Sequence, residues 1–220
     1  MDTKIHIAEA FATQIQGMIE TGRDFHHRGW SLGTSSNYSV VAGREPLRLI
    51  LTASGFDKGR LAPEQFVLVD DQGQRVTELG AKPSAETLLH VVLAQATGAG
   101  AVLHTHSVWA TLLSETYLPA GRLEIRNYEM LKGLAGVTTH EFILRVEIFP
   151  NTQDIAALAR QVDARLRDAT NPLRHAFLIA GHGLYTWGKD VSEARRHIEV
   201  LEFLFEVVAR KKLIFPAGTP

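Results

Sequence analysis

Cysteine is absent from the sequence. No disulfide framework can brace such a chain, and a reducing compartment suits it. Any metal must be held through nitrogen and oxygen ligands. An excess of one charge is missing too: 23 Lys and Arg stand against 24 Asp and Glu, a formal net charge of −1 with no long basic or acidic run. Nothing there draws nucleic acid or an anionic membrane in bulk, so a small anionic ligand would need a local site. No apolar run reaches the roughly 18 to 20 residues of a membrane span. The opening MDTKIHIAEAFATQIQG lacks the basic-then-apolar pattern of a signal peptide. These absences predict a cytoplasmic protein. Repeats, low-complexity segments and linkers are lacking as well. The 220 residues therefore read as one domain, 1–220, long enough to bury a substantial core. At 45% hydrophobic and 21% charged, the mix is that of an ordinary globular chain.

Periodicity then places the elements. Ile7, Phe11, Ile15, Met18 and Ile19 fall at helical spacing within 5–27. RGWSLGTSSNYSV turns into a strand, LRLILTASG is a strand with a small-residue end, and EQFVLVDDQGQRV is a hairpin turning near Asp71-Gln72-Gly73. KPSAETLLHVVLAQATGAG predicts a helix with Ser84 as N-cap, Glu86 in the first turn, and Gly98 and Gly100 at its end. The strand holding His104 and His106 follows at once. NYEMLKGLAG is a short helix or loop. EIFPNTQDIAALARQVDARL is a strand, a stop at Pro150 and a helix capped by Asn151 or Thr152. HAFLIAGHGLYTWG reads strand, Gly-His-Gly turn, strand, and VSEARRHIEVLEFLFEVVARKKL a long amphipathic helix. Strands and helices alternate, yet several strands are joined as hairpins. A mixed sheet covered by helices on both faces is the expected α/β architecture.

Three histidines carry the first chemical hint. His104 and His106 lie two apart in AVLHTHSVWA, and a strand points such residues to one face. Two imidazoles on a face can chelate a cation; they can equally be ordinary polar side chains at a strand end. His182 stands between Gly181 and Gly183, at a turn that lets it reach a neighbouring strand end. Three nitrogen ligands and an open position are the usual make-up of catalytic zinc, and iron, cobalt or manganese accept similar ligands. The remaining histidines (His6, His26, His27, His90, His140, His175 and His197) read as ordinary helix or strand-end residues. Small polar turns offer Ser35, Ser36 and Asn37; Thr52, Ser54 and Gly55; Lys82 and Ser84. Hydroxyls, turn amides and a helix N-terminus suit a phosphate monoester, although each alone is an adequate turn or cap. Glu86 and Glu129 are the carboxylates that, in an apolar pocket near a metal, could serve as acid or base. Either can also be a dipole partner or a surface charge.

Taken in order, SSNYS, LTASGFDKGRL, KPSAETLLH, AVLHTHS and AGHGLYTWG resemble the class II aldolase/adducin family from about Phe25 to about Leu213. The resemblance implies a three-layer α/β/α sandwich around a largely antiparallel sheet, and a homotetramer with active sites close to subunit interfaces. It implies a divalent metal, commonly zinc, one per subunit, held by His104, His106 and His182. A phosphate pocket falls on Asn37, Ser54, Gly55 and Ser84, and Glu86 matches an acidic catalytic residue that sometimes joins the metal. One departure stands out: Ser84-Ala85-Glu86 replaces the Ser-Ser-Glu usual in the family's sugar-phosphate aldolases. NYEMLKGL and FPNTQDI resemble a dehydratase subgroup acting on a ketose 1-phosphate, in which the glutamate of the first stretch, here Glu129, is the acid/base. The alternative on this fold is a sugar-phosphate aldolase or 4-epimerase. A non-catalytic module of the adducin-head kind would not need the three histidines that this chain keeps.

Overall fold

A computed structural model describes residues 9–76 and 81–214. In chain order its elements are α1 (Ala12–His27), β1 (Asn37–Arg44), β2 (Leu47–Thr52), β3 (Phe66–Val69), α2 (Thr87–Thr97), β4 (Ala101–Thr105), α3 (Val108–Tyr117), β5 (Arg122–Ile125), β6 (Leu144–Phe149), α4 (Ile155–Leu166), β7 (Ala176–Ile179), β8 (Gly183–Gly188) and α5 (Val191–Ile214). The strands form one sheet in the order β3-β2-β1-β4-β8-β7-β6-β5. Neighbours are antiparallel except β6 and β7, which run parallel. The α4 crossover explains that pair, since parallel neighbours need a long return connection.

Helices cover both faces. Ile15, Met18, Ala110, Leu113, Leu201 and Phe205 of α1, α3 and α5 pack with Leu103, Val146 and Leu178 on one side. Leu89, Leu93, Leu158 and Val162 of α2 and α4 pack with Val102, Phe177 and Tyr185 on the other. Adjacent residues Val102 and Leu103 thus serve opposite layers, as the two-residue strand period requires. The expected mixed, largely antiparallel sandwich is what forms.

Local departures have local causes. The first expected helix is described from Ala12; Ile7 and His6 lie outside the described residues. Ser84 does not cap α2. Its carbonyl accepts from the Thr87 N–H at 3.2 Å and its hydroxyl from the Glu86 N–H at 3.2 Å, closing a turn ahead of the helix. Glu86 becomes the N-cap instead of lying in the first turn. Likewise α4 is capped by Asp154, whose carboxylate accepts from the Ala157 N–H at 2.9 Å, and not by Asn151 or Thr152. NYEMLKGLAG holds a short 3-10 helix, Glu129–Gly133. The sequence reading did not foresee α3 or β5. The signal for α3 was Ser107, whose hydroxyl accepts from the Ala110 N–H at 3.0 Å.

Candidate active site

Strand β4 delivers its side chains alternately. Thr105 faces α5, where its hydroxyl donates to Glu202 at 3.3 Å. His104 faces the α2 side and is fully buried. His106 lies just past the strand, where its backbone N–H donates to the Trp30 carbonyl at 2.8 Å. His182 sits in the β7–β8 turn between two glycines that the packing requires. Gly181 has φ +62°, and a Cβ on Gly183 would meet the Thr105 carbonyl oxygen at 2.1 Å and His104 Cε1 at 3.1 Å. One nitrogen from each of His104, His106 and His182 lies within 4.8 Å of the others.

The ring of His104 is held on three sides. Its Nδ1–H donates to the Leu184 carbonyl at 2.9 Å, which leaves Nε2 as a lone pair facing the site. Tyr185 stacks on it at 4.0 Å and 15°, and Phe177 stacks on the far face of Tyr185 at 4.9 Å. His106 Nε2 approaches His104 Nε2 to 2.7 Å. Burial strips water from the imidazolium form, so the His104 pKa falls well below its ordinary value, with repulsion from His106 and His182 adding to the effect. Burial, then His182 and Lys58, push His106 down to about 4. Both rings are therefore neutral at pH 7, the state a metal requires.

Glu86 projects into the same space from the start of α2. Its Oε1 lies 3.2 Å from His182 Nε2 and its Oε2 lies 3.5 Å from His104 Nε2. Three imidazoles and a carboxylate converging on one point are a donor set that fits a divalent metal.

Beside the histidines lies a cavity of about 270 Å³. Asn37, Ser54, Gly55 and Ser84 all line it, as do Glu86, His106 and His182. Ser84 Oγ accepts N–H bonds from Glu86 and Asn37, both at 3.2 Å, so its own hydrogen is left to donate into the cavity. Asn37 is otherwise engaged: its amide nitrogen donates to Glu86 Oε2 at 2.7 Å and to Ser84, while its carbonyl oxygen meets His90.

Lys58 also lines the cavity, and the sequence reading overlooked it. It is 1% exposed, and its ammonium donates to the Phe56 carbonyl at 2.7 Å. Burial, opposed by Asp57, lowers its pKa to about 8. Its signal was present in GFDKGRL, but a lysine beside a turn looks like surface until the fold buries it. Glu129, by contrast, is not brought to the histidines of its own chain. Its side chain is 69% exposed, does not line the cavity, and pairs with Lys132 and with His140 at 3.3 Å.

This sheet order and histidine cluster define a class. Residues 16–209 match the model of the Class II Aldolase and Adducin N-terminal domain, and the chain belongs to that family. Within it, the sequence is 46% identical over 201 residues to the Methylthioribulose-1-phosphate dehydratase of Methylococcus capsulatus, spanning 91% of this chain and 95% of that one. It is 50% identical over 192 residues to the protein of the same name from Pseudomonas aeruginosa, spanning 87% and 91%. The fold is similar to that of L-fuculose-1-phosphate aldolase from Thermus thermophilus, with a TM-score of 0.73, 24% identity and coverage of 94% and 99%.

Proposed function

We propose that this chain removes water from 5-methylthioribulose 1-phosphate to give 2,3-diketo-5-methylthiopentyl 1-phosphate, acting as a cytoplasmic zinc enzyme and a homotetramer. The observation that carries the reading is its identity, 46% and 50%, to two dehydratases along most of their length. The converging His104, His106 and His182 add chemical sense to it.

The substrate carries a ketone at C2 and hydroxyls at C3 and C4. Loss of the C3 proton and the C4 hydroxide makes one water and an enol that ketonises to the diketone. A divalent cation held by the three histidines supplies, when bound, Lewis-acid stabilisation of the charge that builds as the C3 proton leaves. The chain's own residues do the rest. The Ser84 hydroxyl, the turn at Ser54 and Gly55, and the Lys58 ammonium hold the phosphate, which fixes C3 and C4 beside the histidines. Lys58 supplies charge on a wall where Ala85 offers no hydroxyl. The Asn37 amide is committed to Glu86 and Ser84, so it shapes the pocket and does not itself grip the phosphate.

Glu129 takes the C3 proton or returns one to the leaving hydroxyl, and Glu86 is the second candidate. The hydrogen bond from Lys132 holds the Glu129 carboxyl below its ordinary range, which favours the carboxylate form. Its outward position fits service in a neighbouring subunit's site. Met130 beside it is 38% exposed, and Val108, Leu112 and Phe203 are 63%, 49% and 45% exposed, apolar side chains that assembly could cover.

The test is to incubate zinc-loaded protein with the substrate and resolve products by mass spectrometry. A product lighter by one water, with its carbon skeleton intact, is expected. Two shorter fragments would overturn the dehydratase in favour of an aldolase. Glu129→Gln should lower kcat on the order of 100-fold with zinc still bound, and full turnover would remove Glu129 from the mechanism.

A further inference from the structure

One buried titratable residue has no place in the chemistry above. His90 is 0% exposed, in the middle of α2, with both ring nitrogens engaged. It stands four residues after Glu86, so the two share a helix face. Opposite them, Asn37 and Ser39 lie two apart on β1 and share a strand face. The two pairs interlock. Ser39 Oγ lies 2.7 Å from His90 Nδ1, His90 Nε2 meets the Asn37 carbonyl oxygen, and the Asn37 amide nitrogen donates to Glu86 Oε2 at 2.7 Å.

Hydrogen-bond chemistry allows one assignment along this row. The Glu86 carboxylate only accepts, so Asn37 must turn its NH2 toward it. The Asn37 oxygen then faces His90 and needs a donor, so the His90 proton is on Nε2. Nδ1 is left as an acceptor, and the Ser39 hydroxyl donates to it. An Asn37 amide turned the other way would set its oxygen 2.7 Å from the carboxylate, oxygen against oxygen. Burial pushes the His90 pKa down to about 3, which keeps the ring neutral at pH 7.

We propose that Ser39 and His90 are positioning residues that set the Asn37 amide, and through it hold the Glu86 carboxylate against His104 and His182. The proposal rests on the reading of Glu86 as the carboxylate of the site. Without the Nε2–H, the Asn37 oxygen is buried with no donor, its amide is free to turn, and Glu86 loses its tether. Gln at position 90 can place an N–H where Nε2 stands, whereas Asn is too short and reaches only the Nδ1 position.

Two measurements test this on the zinc-loaded full chain. Histidine-selective long-range proton–nitrogen NMR of the unmutated protein reads the tautomer of His90 directly, and Nε2–H is expected; an Nδ1–H tautomer overturns the proposal without any variant having to fold. In kinetics, His90→Asn should lower kcat about tenfold or more with KM little changed, while His90→Gln restores most of the turnover. In a Glu86→Gln background, His90→Asn should cost nothing further. An equal loss in both backgrounds would mean that His90 supports only the fold, and the proposal fails. Full activity of Glu86→Gln by itself would instead remove Glu86 from the site, a separate failure that the NMR result does not share.

Discussion

Replacing Gly183 by Ala tests whether the packing of β4 against β8 sets the geometry of His104. The added Cβ would lie 2.1 Å from the Thr105 carbonyl oxygen and 3.1 Å from His104 Cε1. Comfortable contact is about 3.5 Å, so the overlap with backbone exceeds an ångström. The strands pair here, Thr105 with Leu184 and His104 with Tyr185, and neither partner is a flexible side chain that can swing aside. The ends of β4 and β8 must part. Overpacking of this kind costs about 2–3 kcal/mol. At roughly 2–4 °C per kcal/mol for a chain of this size, Tm should fall by about 4–12 °C. The same movement stretches the 2.9 Å bond from His104 Nδ1 to the Leu184 carbonyl. Loss of such a support typically weakens metal binding about 10- to 100-fold. Thermal unfolding at matched protein concentration, with and without chelator, and a competitive zinc titration measure both effects. An unchanged Tm with zinc affinity within twofold of the parent would refute the claim that this contact sets the histidine.

Glu202, buried under β4, has its pKa raised to about 7, chiefly by burial. Its folded value lies above the unfolded value of about 4.3, so the native state holds the proton more tightly. Stability then declines as pH rises between those values and stays lower above pH 7. Glu202→Gln should therefore be more stable than the parent at pH 8, by about 3.5–4 kcal/mol from the gap between the two values at 1.36 kcal/mol per pKa unit. The advantage should vanish near pH 4; urea midpoints across pH that run parallel for the two proteins would contradict this. Asp154→Ala removes the cap on α4 and should cost about 1 kcal/mol in urea unfolding, with activity intact; no loss would mean that the bond to Ala157 is not formed in solution. Lys58→Gln should raise KM about tenfold or more, since a charge-assisted hydrogen bond contributes roughly 1.5–3 kcal/mol, and an unchanged KM would take Lys58 out of phosphate binding.

Much of this was legible in the residues because local rules govern direction. The two-residue period predicted one face for His104 and His106, and the two rings do meet, although the strand ends at Thr105 and His106 follows it; the glycines around His182 marked a close turn. Helix caps were less legible. Ser84 and Glu86 are both competent near a helix start, and the choice between them depended on a turn bond to Thr87 and on where the Glu86 side chain was needed. The helix after Ser107 was hidden because VWATLLSETY follows a strand directly, with only one hydroxyl between them.

By itself the sequence determined the chemistry available. Without cysteine, only nitrogen and oxygen can hold a metal, and the alternation and turn residues aimed His104, His106 and His182 relative to their own strands. Tertiary structure decided which groups meet. Of ten histidines, three converge because β4 and β8 pair side by side, although 80 residues separate His104 from Leu184. His90 is tied to Glu86 because β1 lies across from α2, and Glu129 faces outward because its short helix lies outside the cavity wall. Periodicity reports only how a side chain points from its own backbone. Which backbones become neighbours is set by non-local strand pairing, and that no short stretch of sequence contains.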